Sequence, residues 1–202
     1  LLDADVRPVG DAVAYRDSRT QGMEARLEAA LPFDAHYRVT GIARQSYNTV
    51  YQLMSEPRSV LDRARACLMM PDYLHFLLAG VKANEYTEAS TTALLDAHTR
   101  AWSPQVLEAA GIPQGLFDLP LKYPGDVLGA LRPEVARAAG FDCRVVLPGT
   151  HDTASAFFAV PAQNAQAATL SSGTWSLLGA TLDAPLTGAA CREAGFTNEG
   201  GC

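Results

Sequence analysis

No apolar run in this 202-residue chain approaches the roughly 20 residues that span a bilayer, so no membrane-crossing helix is expected. The opening residues, Leu1-Leu2-Asp3-Ala4-Asp5, lack a basic stretch ahead of an apolar one, and no signal peptide is read there. Basic residues are few: 16 Lys and Arg face 22 Asp and Glu, for a net charge of −6. They are scattered rather than clustered on one stripe, which argues against nucleic acid as a partner. Cysteine is scarce. Cys67, Cys143, Cys191 and Cys202 have no metal-ligand spacing and read as reduced thiols of a cytoplasmic protein, with a structural disulfide as the alternative. Also missing are the glycine-rich phosphate loop with its lysine, the dinucleotide-binding glycine pattern and the G-x-S-x-G elbow of serine hydrolases.

What the chain does have is a hydrophobic content of 48% against 19% charged residues, enough to build a core. Residues 12–15 read as a short strand. Met23, Leu27, Ala30 and Leu31 recur at helical spacing, and a second helix is expected at 49–54. Pro71 opens a helix with the stripe Leu74, Leu77 and Leu78, and Gly80 stops it. Ser103-Pro104 starts another that ends before Gly111, and Arg132-Pro133 one that ends at Gly140. The Pro- and Gly-rich residues 113–129 are expected to wrap the surface. Residues 145–147 read as a buried strand and 153–160 as a helix of small residues. Pro161-Ala162-Gln163-Asn164 reads as a linker, followed by strands at 167–171 and 174–180 that form a hairpin. This order predicts an α/β protein with a domain boundary near residue 160.

Two motifs carry chemistry. In Gly149-Thr150-His151-Asp152-Thr153-Ala154-Ser155-Ala156, a carboxylate stands where a strand gives way to a helix. It can take a proton from an attacking hydroxyl, or it can simply cap the helix; the two roles are compatible. His151 next to it can bond a sugar hydroxyl or be a packed histidine, and neighbouring side chains leaving a strand tend to point apart. In Leu170-Ser171-Ser172-Gly173-Thr174-Trp175-Ser176, small residues and successive N–H groups can hold a phosphate, or can form an ordinary hairpin turn. Together the motifs point to a kinase acting on a small hydroxylated substrate, because phosphoryl transfer needs positioning, charge neutralisation and a base. A hydrolase using Ser171 or Ser172 with His151 is disfavoured, because His–Asp adjacency is the wrong geometry for a base and its orienter. Arg16-Asp17-Ser18-Arg19 reads as a local ion-pair turn in preference to a substrate clamp, and Trp102 and Trp175 as packing residues in preference to stacking platforms.

The motifs and their order resemble the FGGY family of carbohydrate kinases along nearly the whole chain. The resemblance runs through Ala14-Tyr15-Arg16-Asp17-Ser18-Arg19-Thr20, Thr40-Gly41-Ile42, Tyr47-Asn48-Thr49-Val50-Tyr51-Gln52-Leu53 and Leu68-Met69-Met70-Pro71-Asp72-Tyr73. It continues in Asn84-Glu85-Tyr86-Thr87-Glu88-Ala89-Ser90-Thr91-Thr92, the His151 and Ser171 motifs, and Thr197-Asn198-Glu199-Gly200-Gly201. Many members carry Lys where this chain has Gln52. The resemblance implies a ribonuclease H-like, actin-like ATPase fold. Residues 1–160 would be the later part of the first domain and 161–202 the start of the second. It implies Asp152 as catalytic base, His151, Asp152 and Thr153 on the ketose, and Gly173 and Thr174 on ATP, with Mg²⁺ as cofactor. L-rhamnulose is the implied acceptor; L-fuculose, D-xylulose, glycerol or a silent sugar-binding protein are the alternatives. Further ATP-binding segments are expected before Leu1 and after Cys202, so the chain reads as an internal piece of a longer enzyme.

Overall fold

The computed structural model describes residues 1–162, 164, 167–173 and 175–201. Its helices run in chain order as α1 (Met23–Ala30), α2 (Phe33–Thr40), α3 (Thr49–Met54), α4 (Arg58–Arg63), α5 (Met70–Ala79), α6 (Tyr86–Ser90), α7 (Pro104–Ala110), α8 (Pro133–Ala139), α9 (Asp152–Phe158) and α10 (Ala189–Glu193). The described strands pair two by two. β1 (Asn84–Glu85) lies parallel to β4 (Leu121–Lys122), and β2 (Leu95–Asp96) antiparallel to β3 (Ala101–Trp102). β5 (Val127–Ala130) pairs antiparallel with β6 (Arg144–Val146), and β7 (Thr169–Ser172) with β8 (Ser176–Gly179).

Local chemistry sets the helix ends. The Ser103 hydroxyl accepts from the Val106 N–H at 3.3 Å, and Pro104 occupies the first turn, where no N–H partner is needed. Gly80, Gly111 and Gly140 close α5, α7 and α8 in the left-handed conformation that a side chain would strain. The main core lies between α1, α3 and α7, where Leu27, Val50, Tyr51, Leu94 and Val106 are buried. Trp102 stacks at a tilt on Phe117, 4.3 Å between ring centres, as the packing reading expects; Trp175 is exposed and packs into no core.

Several expectations are corrected. Residues 12–15 form no strand, because none of the described strands pairs with them and Val13 and Tyr15 stay exposed. Residues 113–129 do not merely wrap the surface, since Leu116 and Phe117 insert into the core. The strand expected as buried at 145–147 is Arg144–Val146 and is buried on one face only. Val145 is buried, while Val146 is 48% exposed, as suits an antiparallel pair covered on one side. The first hairpin strand starts two residues later and ends one residue later than expected, the second is Ser176–Gly179, and α9 ends at Phe158. Gln163 of the linker and Cys202 lie outside the described residues; Cys67, Cys143 and Cys191 are free thiols.

Candidate functional site

The site is built on the loop that joins β6 to α9. Leu147 is buried and hydrogen-bonded to Asp126, so the chain leaves the β-ladder at Pro148. Glu85, fully buried, seizes it there. One carboxylate oxygen accepts from the Thr150 N–H at 3.1 Å and from the Thr150 hydroxyl at 2.7 Å. The same oxygen accepts from the Glu88 N–H and the Thr87 hydroxyl, and the other accepts from the Thr87 N–H at 2.9 Å. Glu85 is thus both the N-cap of α6 and the tether of the loop. The Thr87 hydroxyl oxygen accepts the His151 N–H at 3.2 Å, and Ser155 of α9 bonds back to the Gly149 carbonyl.

Asp152 is the first residue of α9, and its side chain is 97% exposed. It does not cap the helix: the N-cap is His151, which makes no side-chain capping bond. The carboxylate lies at the edge of an open cleft of about 650 Å³ walled by Pro71, Leu74 and His75 of α5 and by Gly149, Thr150 and Ser155. Thr153 is half-buried, and its hydroxyl donates to Asp152 at 3.3 Å. His151 does not point away from Asp152 as adjacency suggests, because its Nδ1 lies 3.7 Å from an Asp152 oxygen. Its Nε2 is 2.7 Å from Glu199, and Glu88 stands 4.0 Å from Nδ1.

The charges here are strongly coupled. Burial works to lower the His151 pKa, but the Glu199 hydrogen bond and the Glu199, Glu88 and Asp152 charges outweigh it, and the net shift is upward. Glu88 is also raised, by burial first; His151 opposes the shift, and Glu85, Asp152 and Glu199 add to it. Behind the loop, Asp72 is buried and accepts from the Glu85 N–H at 3.0 Å and the Asn84 amide at 3.3 Å. Burial pushes its carboxyl from 3.8 up to about 7; those two donors work against the rise, and the Glu85 and Glu88 charges add to it.

That shift has a consequence for stability. The folded state holds a proton on Asp72 that the unfolded chain gives up near pH 3.8. The contribution is full below that value and is lost as pH rises through about 7. The urea midpoint of the parent is expected to fall over this window relative to that of Asp72→Asn; parallel pH profiles for the two proteins would contradict the assignment.

Gly173 forms the exposed bend of the β7–β8 hairpin, and its N–H donates to the Trp175 carbonyl at 2.8 Å. Thr174 lies outside the described residues. The hairpin packs on α9, where Gly179 lies against Phe157 so closely that a Cβ there would sit 2.7 Å from the ring. Asp17 accepts from the Arg19 N–H at 2.8 Å, but Arg19 pairs across the fold with Glu56 at 2.7 Å, not within its own turn. The Gln52 side-chain amide oxygen also accepts from Arg19, at 2.8 Å. Glu85, Thr87, Glu88, Thr150 and Glu199 were not singled out from sequence. The only signal was their presence in the quoted motifs.

A family model, the N-terminal domain of the FGGY family of carbohydrate kinases, matches residues 1–159, and the chain belongs to this family. Among curated proteins, the rhamnulokinase of Halalkalibacterium halodurans is 44% identical over all of this chain and 43% of its own length. That of Yersinia pestis (strain Pestoides F) is 45% identical over all of this chain and 41% of its own. The chain therefore spans less than half the length of these relatives.

Solved structures agree on the fold. Xylulose kinase from Lactobacillus acidophilus superposes with a TM-score of 0.66 at 19% identity, covering 73% of this chain and 31% of that one. A carbohydrate kinase from Novosphingobium aromaticivorans gives 0.62 at 26% identity, over 83% and 37%. The shared architecture is the α/β, actin-like ATPase fold of sugar kinases.

Proposed function

We propose that the full-length protein carrying this chain is an ATP-dependent kinase that converts the ketose L-rhamnulose to L-rhamnulose 1-phosphate, in the cytoplasm. The observation that carries this reading is Asp152: an exposed carboxylate at the head of α9, beside His151 and Thr153, on the rim of a cleft. The sugar O1 attacks the γ-phosphorus, the bond from that phosphorus to the ADP oxygen breaks, and Asp152 takes the proton O1 loses. His151 and Thr153 hold the ketose. In this reading Gly173 and Thr174 form the phosphate loop, which requires the Gly173 N–H to exchange its Trp175 partner for a phosphate oxygen. Among the described residues no group of three or more His, Cys, Asp and Glu is arranged to hold a metal. Mg²⁺, the cofactor implied by the family, would neutralise charge on the ATP phosphates.

Residues 1–160 are assigned to the later part of the first domain and 161–202 to the start of the second. The ketose is assigned from the rhamnulokinase relatives. The xylulose and glycerol kinases that share the fold at 19% and 15% identity do not decide between sugars. The full-length protein with ATP and a panel of ketoses tests the assignment: L-rhamnulose should have the highest kcat/KM, and a higher value for L-fuculose or D-xylulose would replace it. The 202-residue chain alone is expected to show no ATP-dependent phosphorylation; an Asp152-dependent rate from it would contradict the domain assignment.

A further inference from the structure

Residues 186–200 return from the hairpin and are latched onto the first part of the chain. The Tyr37 hydroxyl donates to the Phe196 carbonyl at 2.8 Å, and the Asn198 N–H donates to the Gly41 carbonyl at 2.8 Å. The Asn198 amide donates to the Gly41 and Leu186 carbonyls, each at 3.2 Å, and its oxygen accepts the Leu186 N–H at 2.7 Å. Gly41 has a φ of +67° and lies so close under Asn198 that a Cβ there would sit 2.8 Å from the Asn198 Cβ. One residue past Glu199, the Gly200 N–H donates to the Ser90 hydroxyl at 2.7 Å. Glu199 is therefore pinned on both sides, and its carboxylate reaches His151 Nε2 at 2.7 Å.

We infer that Glu199 is a positioning residue for the sugar-contacting His151, carried across the proposed domain boundary by the latched strap of residues 196–200. The inference rests on the ketose-kinase reading. A carboxylate only accepts, so the Glu199 contact fixes the proton on Nε2 and prevents the ring from flipping. Nδ1 is then held on the Asp152 side, where a sugar hydroxyl comes for transfer. The groups that face the ring are Glu199 from the strap, Glu88 from α6 and Asp152 from its own helix, and Tyr47 faces Glu199 in turn. A contact that served only the fold would leave ketose affinity and the imidazole titration unchanged once the protein had folded.

The test uses Glu199→Gln, which keeps shape and removes charge, and Glu199→Asp, which keeps charge on a shorter arm, both in the full-length protein. Trading the charged, acceptor-only partner for a neutral amide that can also turn its NH₂ to Nε2 should raise the ketose KM about tenfold in Glu199→Gln, with kcat and the KM for ATP changing far less. Glu199→Asp should recover part of that loss. In ¹⁵N-histidine NMR spectra, the His151 midpoint should move to lower pH in Glu199→Gln, because a cause of its upward shift has gone. An unchanged ketose KM, or an unchanged His151 titration, would overturn the inference. A parent protein that phosphorylates none of the ketoses overturns the functional reading, and with it the role of His151 in holding a sugar. The NMR titration then still decides whether Glu199 sets the state of His151.

Discussion

Asp152→Asn in the full-length protein is expected to lower turnover by about 10²–10⁴-fold, the range for loss of a general base, with ketose binding largely kept. Asp152 makes no capping bond, and its only described hydrogen bond is the 3.3 Å contact from its neighbour Thr153. An amide of the same shape therefore leaves α9 and the loop as they are. What it removes is the basicity of the carboxylate, so the group can no longer take the proton of the attacking hydroxyl and the loss should fall on kcat and not on binding. The measurement is steady-state kinetics with L-rhamnulose and ATP beside calorimetric titration of the ketose. Parent-like turnover would show that Asp152 is not the base.

Glu85→Ala is expected to destabilise the fold by about 3–5 kcal/mol, because it takes a buried acceptor away from several donors at once. Glu85 is fully buried and accepts from three backbone N–H groups and two hydroxyls. Alanine leaves the N–H groups of Thr87, Glu88 and Thr150 unpaired, at about 1–3 kcal/mol each unless water enters. Glu85→Gln should cost less. Its carbonyl can take the place of the oxygen that receives four donors, and its NH₂ then opposes only the Thr87 N–H. The expected order of urea midpoints is parent, then Gln, then Ala. Equal midpoints for all three would mean that the tether carries no stability.

The sequence declared its helices where chemistry marks the ends. Ser103-Pro104 with Gly111, and Pro71 with Gly80, bracket α7 and α5. It hid α2, because the buried face of that helix includes His36, Tyr37 and Thr40, which interrupt any apolar stripe. It hid α6 as well, a five-residue helix whose cap is a buried glutamate in place of Ser, Thr, Asn or Asp. The position of Asp152 at the junction of a strand and a small-residue helix was legible because it is a local pattern. Its support was not: Glu85 reaches Thr150 across 65 residues and Glu199 reaches His151 across 48, separations that no periodicity encodes. Nor could adjacency reveal that His151 and Asp152 stay within 3.7 Å of each other.

The most direct measurement is a crystal structure of the full-length protein with L-rhamnulose and a non-hydrolysable ATP analogue. The ketose O1 should lie about 2.6–3.2 Å from an Asp152 carboxylate oxygen, the reach of a general base, and in line with the terminal phosphate. A ketose bound elsewhere, or an O1 whose nearest acceptor is another side chain, would contradict the account.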